Sequence, residues 1–90
     1  MLEDKIKISN RLGLHARAAA QLVRLASSFK SKIKLERTDS MIVADAKSIL
    51  SVLTLAASKG VELKIEVEGD DETEALRAIK NIFEQGFGEI

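Results

Sequence analysis

Val61-Glu62-Leu63-Lys64-Ile65-Glu66-Val67 alternates apolar and charged residues without a break. Side chains along a strand point to opposite faces with a period of two, so this stretch predicts a strand with an apolar face and a charged one. Such a strand has one side against a core and the other in water, as in an antiparallel sheet covered on one side only. Nearer the N-terminus, Lys5-Ile6-Lys7-Ile8 and Lys32-Ile33-Lys34-Leu35-Glu36 repeat the alternation. Thr38-Asp39-Ser40 supplies turn residues, and Met41-Ile42-Val43 is short and rich in β-branched side chains, so the second and third strands are expected to form a hairpin.

The segments between the strands change period. Ala19, Leu22, Val23, Ala26 and Phe29 recur at the spacing of one helix face, with Arg17, Gln21, Arg24 and Ser28 opposite. A helix over residues 16–29 is predicted. A shorter one is predicted over 48–57, with Ser48 as a good N-cap type and Gly60 suiting the exit. After Val67, Gly69-Asp70-Asp71 turns the chain, and Asp71 with Glu74 has the spacing of a capping box. Leu76, Ile79, Ile82 and Phe83 form the apolar face of a last helix, which Gly86 and Gly88 end. The order β-α-β-β-α-β-α, with half-apolar strands and amphipathic helices, predicts one α+β domain over residues 1–90, its helices on one face of the sheet.

Composition narrows the function. There is no Cys, which excludes disulfides, zinc-thiolate sites and a cysteine nucleophile. The most apolar stretch, Ile49 to Ala57, is broken by Ser51 and Thr54 and is too short to span a bilayer, so no membrane insertion is expected. No charged-then-apolar leader stands at the N-terminus, and a soluble, cytoplasmic protein is expected. Lys/Arg and Asp/Glu balance at 14 each, yet residues 1–37 hold nine basic and three acidic residues while 62–90 hold three and nine. A basic first half would steer an acidic protein partner, although solvated strand and helix faces account for most of these charges. With no net positive charge, no Tyr or Trp and three Phe, nucleic-acid binding is not expected.

The single histidine lies in Gly13-Leu14-His15-Ala16-Arg17, directly before the first helical pattern. Free backbone N–H groups and the positive end of the helix dipole favour an anion there. Arg17 adds a guanidinium suited to gripping phosphate through two hydrogen bonds. A neutral imidazole at such a place is a nucleophile, and the same amides would stabilise a phosphoryl group once attached. From the residues alone, His15 is either a phosphoryl acceptor or general base, or a capping or solvent-facing histidine without chemistry. One His with scattered carboxylates has no metal-ligand spacing, and no metal or cofactor is expected. In the 48–57 helix, Ile49, Leu50, Val52, Leu53 and Leu55 cover more than one face. Either some remain exposed as a docking surface, or the short helix is fully buried. Ser48 reads first as a helix cap, and also as a place where the dipole would tolerate a phosphate.

These stretches resemble the HPr family, the histidine phosphocarriers of the bacterial phosphotransferase system. Residues 10–17, Asn-Arg-Leu-Gly-Leu-His-Ala-Arg, are similar to the family's active-site loop, and Ala46-Lys47-Ser48-Ile49-Leu50 to its regulatory-serine segment. Ala57-Ser58-Lys59-Gly60 and Glu68-Gly69-Asp70-Asp71-Glu72 resemble later motifs, so the likeness spans essentially the whole chain. The resemblance implies an open-faced sandwich, a four-stranded antiparallel sheet in the order 1-4-2-3 under three helices. It implies that His15 accepts a phosphoryl group on Nδ1 from phospho-enzyme I, charged by phosphoenolpyruvate, and passes it to an enzyme IIA for sugar uptake. Arg17 and the amide of Ala16 would hold the phosphate. Ala16, Ala20, Arg24, Ile49, Leu50 and Leu53 would dock both partners, and Ser48 would be modified by HPr kinase/phosphorylase. A carrier of this kind is a stoichiometric intermediate and not an independent enzyme, and a monomer is expected because it must alternate partners. The family usually has Pro after the arginine, where this chain has Ala18. Pro fits a first helical turn because its missing N–H has no partner there anyway, and Ala keeps the helix while restoring one N–H near the phosphate.

Two rival roles remain at this stage. One is a regulatory carrier of the nitrogen-related branch, with the same chemistry and a different output. The other is a regulator of transcription that acts through phosphorylated Ser48, with His15 vestigial.

Overall fold

The computed structural model describes residues 1–89. Its elements are β1 (Leu2–Lys7), α1 (Ala16–Ser27), β2 (Lys32–Arg37), β3 (Val43–Asp45), α2 (Ile49–Leu53), β4 (Glu62–Glu68) and α3 (Glu72–Glu84), followed by a 3-10 turn at Gly86–Gly88. The strands form one antiparallel sheet in the order β1-β4-β2-β3, with the helices against one face. The α+β open-faced sandwich expected from the sequence is the fold observed.

β4 earns its central place by its alternation. Leu63, Ile65 and Val67 are buried, and register sets Leu63 beside Ile6, and Ile65 beside Leu35. A slip of one residue would turn that whole row into water, so the apolar pattern fixes the register. On the wet face Lys64 lies 3.6 Å from Glu36, 3.6 Å from Glu66 and 4.0 Å from Glu3, which relieves the like-charge pairing of Glu3 and Glu66 across β1 and β4. Over the dry face, α1 contributes Ala18, Ala19, Leu22 and Ala26, and α3 contributes Ala75, Ile79 and Phe83. Small residues on α1 let the helix approach the sheet closely, while Ile79 and Phe83 fill the space under α3. Asp4, on the helix side of edge strand β1, is paired with Lys80 of α3 at 2.7 Å.

Several boundaries differ from the sequence reading. β3 is Val43–Asp45 instead of 41–43, because Met41 is left-handed at φ 63° and its N–H bonds Arg37 O at 2.8 Å, which prolongs the turn. α2 covers five residues instead of ten. The Arg37 guanidinium draws the carbonyls of Leu55 and Ala56 toward itself at 2.9 and 3.2 Å, and Ala56 adopts φ 47°, so the chain leaves the helix early. Gly60 consequently serves the turn into β4, where its N–H bonds Ile8 O, and not the helix exit. α1 ends at Ser27, two residues before the predicted limit. Asp71 stands at the N-cap of α3 but makes no capping bond. Its carboxylate instead accepts from the N–H groups of Lys30 (2.8 Å) and Ser31 (2.9 Å) and from the Ser31 hydroxyl, and so ties α3 to the loop before β2. These donors, the Ser31 hydroxyl first, hold the Asp71 carboxyl down at about 2 against an ordinary 3.8.

Candidate functional site

The loop between β1 and α1 is built around Gly13. Its φ of +67° is left-handed, and a Cβ there would stand 2.5 Å from Ala57 O and 2.8 Å from Ser58 Cα. Glycine alone permits both the backbone conformation and this approach. The closeness lets Leu14 N–H bond Ala57 O at 2.9 Å, while the buried Leu14 side chain pins the loop to the core. The chain then enters α1 with His15 as N-cap residue, in extended conformation (φ −75°, ψ 178°).

His15 caps nothing with its side chain. The first bond of the helix runs from Ala19 N–H to His15 O at 2.8 Å, so the amides of Ala16, Arg17 and Ala18 have no acceptor within the helix. Three donors thus open beside a half-exposed imidazole, at the positive end of a twelve-residue helix with no acidic residue in its first turn. Arg17 and Ala16 are exposed, and Ala18 is buried. Arg17 shares a shallow recess of about 160 Å³ with Arg11, Leu12 and Glu89. Larger hollows of about 600 Å³ along β1 and α3, and about 380 Å³ over β2 and β3, are lined by neither His15 nor Arg17. Among the described residues, no His, Asp and Glu cluster could hold a metal, and no helix is long and apolar enough to cross a membrane.

Glu89 is the site residue that sequence reasoning missed. Its carboxylate meets His15 Nε2 through one oxygen and accepts from Asn10 Nδ2 at 2.9 Å through the other. The same Asn10 amide nitrogen donates to Gly13 O at 2.9 Å, and the Asn10 side chain is buried with Oδ1 unpartnered among the described residues. The Asn10 amide first, then the His15 ring, hold the Glu89 carboxyl below its ordinary value, with a smaller contribution from Arg17 and opposition from partial burial. A faint signal was available in Gly86-Phe87-Gly88-Glu89: a lone aromatic between glycines, past a helix end, announces a chain that folds back onto the core.

The second patch lies on α2, which packs beside α1. Ile49, Leu50 and Leu53 are 37%, 75% and 38% exposed, while Val52 and Leu55 are buried. Of the other expected docking positions, Ala20 is half-buried and Arg24 exposed on α1. Leu12, 63% exposed in the His15 loop, is a further exposed apolar side chain and was not among the expected positions. Ser48 is the half-buried N-cap of α2, and its hydroxyl accepts from Ser51 N–H at 3.3 Å.

Comparison with known proteins agrees with this fold. The family model described as the PTS HPr component phosphorylation site matches residues 2–85. The phosphocarrier protein HPr of Neisseria meningitidis serogroup A is 43% identical over 89 residues, covering 99% of this chain and 98% of that protein. The phosphocarrier protein NPr of Klebsiella oxytoca is 39% identical over 88 residues, covering 98% and 97%. Among solved structures, HPr-C-His from Thermoanaerobacter tengcongensis superposes with a TM-score of 0.93 at 43% identity, covering 100% of this chain and 99% of that one. A second structure from that organism, described as an HPr dimer, has a TM-score of 0.78 at 44% identity and covers 99% and 100%.

Proposed function

The chain belongs to the HPr family of phosphotransferase-system phosphocarriers, and from that premise we propose that His15 accepts a phosphoryl group from phospho-enzyme I and hands it to an enzyme IIA. The observation that carries this reading is the half-exposed His15 ring beside three α1 amides that are unpaired among the described residues, with the Arg17 guanidinium two residues on. The carrier supplies a nucleophilic nitrogen and a cradle for the charge, and each partner supplies the other reacting group. Nδ1 is the acceptor atom in this reading: Nε2 is engaged by Glu89, and Nδ1 makes no hydrogen bond among the described residues. The exposed Ile49, Leu50 and Leu53, with Leu12, Ala16, Ala20 and Arg24, form a surface that both partners use in turn. The carrier works in the cytoplasm, as a monomer in its transfer cycle.

The test is direct. With phosphoenolpyruvate and an enzyme I, the chain should take up one acid-labile phosphate. His15→Ala should lose it and keep its melting temperature, because the side chain is half-exposed and outside the core. Acid-labile label on the His15→Ala protein would overturn the assignment.

A second reading concerns control. Ser48 caps α2 directly beside Ile49 and Leu50, and Leu50 is the most exposed apolar side chain of the proposed docking face. Phosphate at its hydroxyl, added by an HPr kinase/phosphorylase, would place a charge of about −2 on that apolar surface and oppose docking. The output of the carrier, sugar uptake or nitrogen-related regulation, follows from which enzyme IIA accepts the phosphoryl group. Presenting the chain with an enzyme IIA of each branch separates them.

A further inference from the structure

The C-terminal strap reaches the active site by an unusual backbone route. Gly86, Phe87 and Gly88 are all left-handed, at φ 59°, 57° and 76°, which reverses the chain within three residues. Phe87 has no glycine-like freedom, and its conformation is sustained by burial and by an edge-on contact with Phe83, with ring centroids 5.0 Å apart. A Cβ on Gly86 would lie 3.4 Å from Asn10 Cβ, so the strap is seated on the His15 loop. The bond from Glu89 N–H to Gly86 O at 2.9 Å closes the turn and aims the Glu89 side chain at His15.

Given the phosphocarrier reading, on which this rests, we propose that Glu89 is a positioning residue for phosphoryl transfer: braced by Asn10, its carboxylate keeps the ring proton on Nε2, leaves the Nδ1 lone pair to attack, and faces the positive charge the ring then acquires. An ionised carboxylate only accepts hydrogen bonds, so the contact requires Nε2 to be the donor. The Asn10 and His15 contacts hold the Glu89 carboxyl below its ordinary value, so the carboxylate is ionised at neutral pH. In the transfer step the Nδ1 lone pair forms a bond to phosphorus as the donor's bond to phosphorus breaks, and that electron pair departs with the donor. The Nε2 proton stays in place. The product ring is a phosphoimidazolium with its positive charge opposite Glu89 and its phosphate beside the α1 amides and Arg17. On delivery the electron pair of the N–P bond returns to Nδ1, so no proton has to be found at either step. This is the same division of labour by which a second-sphere carboxylate fixes the tautomer of a catalytic or metal-bound histidine.

The experiment uses the full chain, ¹⁵N-labelled, with Glu89→Gln as the variant. Gln keeps the shape but offers both an acceptor and a donor to Nε2, so it no longer dictates the tautomer. The ring ¹⁵N shifts of the unphosphorylated parent should report the Nε2–H form, and those of Glu89→Gln a mixture. Transfer from phospho-enzyme I should slow about tenfold to a hundredfold, the loss of one charge-assisted hydrogen bond. Glu89→Asp, which keeps the charge on a shorter arm, should restore part of the rate. Melting temperatures should agree across the set. A parent ring protonated on Nδ1, or a Glu89→Gln ring with the parent's tautomer and rate, overturns the proposal. The tautomer is read without phosphorylation, so a parent that shows the Nε2–H form but takes up no phosphate would sink the carrier reading and leave the Glu89 contact standing.

Discussion

Leu50→Asp separates docking from folding. Leu50 is 75% exposed, on the same short helix as Val52, which is fully buried. Full burial of a leucine side chain contributes about 1.5–3 kcal/mol. Three-quarters of that, about 1–2 kcal/mol, is still available to a partner that covers the residue. At 1.4 kcal/mol per tenfold, losing it weakens docking by roughly fivefold to thirtyfold, and stranding a carboxylate in the interface adds to the loss. In the fold the same change removes almost nothing. Val52→Ala is the converse: two methyl groups leave a packed core at a cost of about 1.5–3 kcal/mol, with no surface altered. The assay is the rate of phosphoryl transfer from phospho-enzyme I against carrier concentration, with thermal melts alongside. Leu50→Asp should raise KM at least fivefold with an unchanged melt, by the burial arithmetic above. Val52→Ala should keep its KM but melt lower, at about 4–8 °C for each kcal/mol lost in a domain this small. An unchanged KM for Leu50→Asp would remove α2 from the docking surface. A melt lowered as far as that of Val52→Ala would show that Leu50 is structural after all.

Three further outcomes follow from particular contacts. Gly13→Ala forces a Cβ against Ala57 O at φ +67° and should cost at least about 1–2 kcal/mol from the backbone conformation alone, before the clash, together with most of the labelling of His15; a melt equal to the parent's would show the loop is not held as described. The Asp71 carboxyl titrates at about 2 in the fold and near 3.9 when unfolded, so its stabilisation is complete above that upper value and is lost as pH falls from about 4 to about 2. Asp71→Asn should flatten that acid limb of a stability–pH curve, and an unchanged limb would deny Asp71 the role. Ser48→Asp should melt like the parent, since Asp is also an N-cap type, yet accept phosphate more slowly; a normal transfer rate would remove the regulatory reading of Ser48.

What the sequence disclosed and what it hid divide along a physical line. β4 was legible because seven residues alternate without exception, and a sheet with one wet face has no other way to use them. The place of His15 before α1 was legible because helix periodicity starts right after it. β3 and α2 were misplaced because their limits are set by tertiary contacts, chiefly Arg37 capturing the carbonyls of Leu55 and Ala56, and no local propensity encodes that. Asp71 had the spacing of a capping box, but Lys30 and Ser31, about forty residues away in sequence, offered better donors. Glu89 was hidden for the same reason: its partners Asn10 and His15 lie 79 and 74 residues away, across the entire chain.

The proposed active site is assembled from positions where local rules are broken. α1 begins without a side-chain cap, which forgoes about 1 kcal/mol that Ser or Asp at that place would supply. That omission is what leaves the amides of Ala16, Arg17 and Ala18 for an anion. Gly13 and Phe87 both take left-handed backbone, the first to touch Ala57 and the second to turn the strap. None of the three would persist in an isolated peptide. They persist here because Leu14 and Phe87 are buried in the one core and because Asn10 joins the loop to the strap. The geometry around His15 is therefore a property of the whole fold, while the five-residue α2 alongside buries Val52 and leaves Ile49, Leu50 and Leu53 partly or largely exposed. The proposed carrier role requires such a pairing of a phosphate cradle with an uncovered apolar face: the chemistry must be the same at each transfer, and the partner must be able to leave.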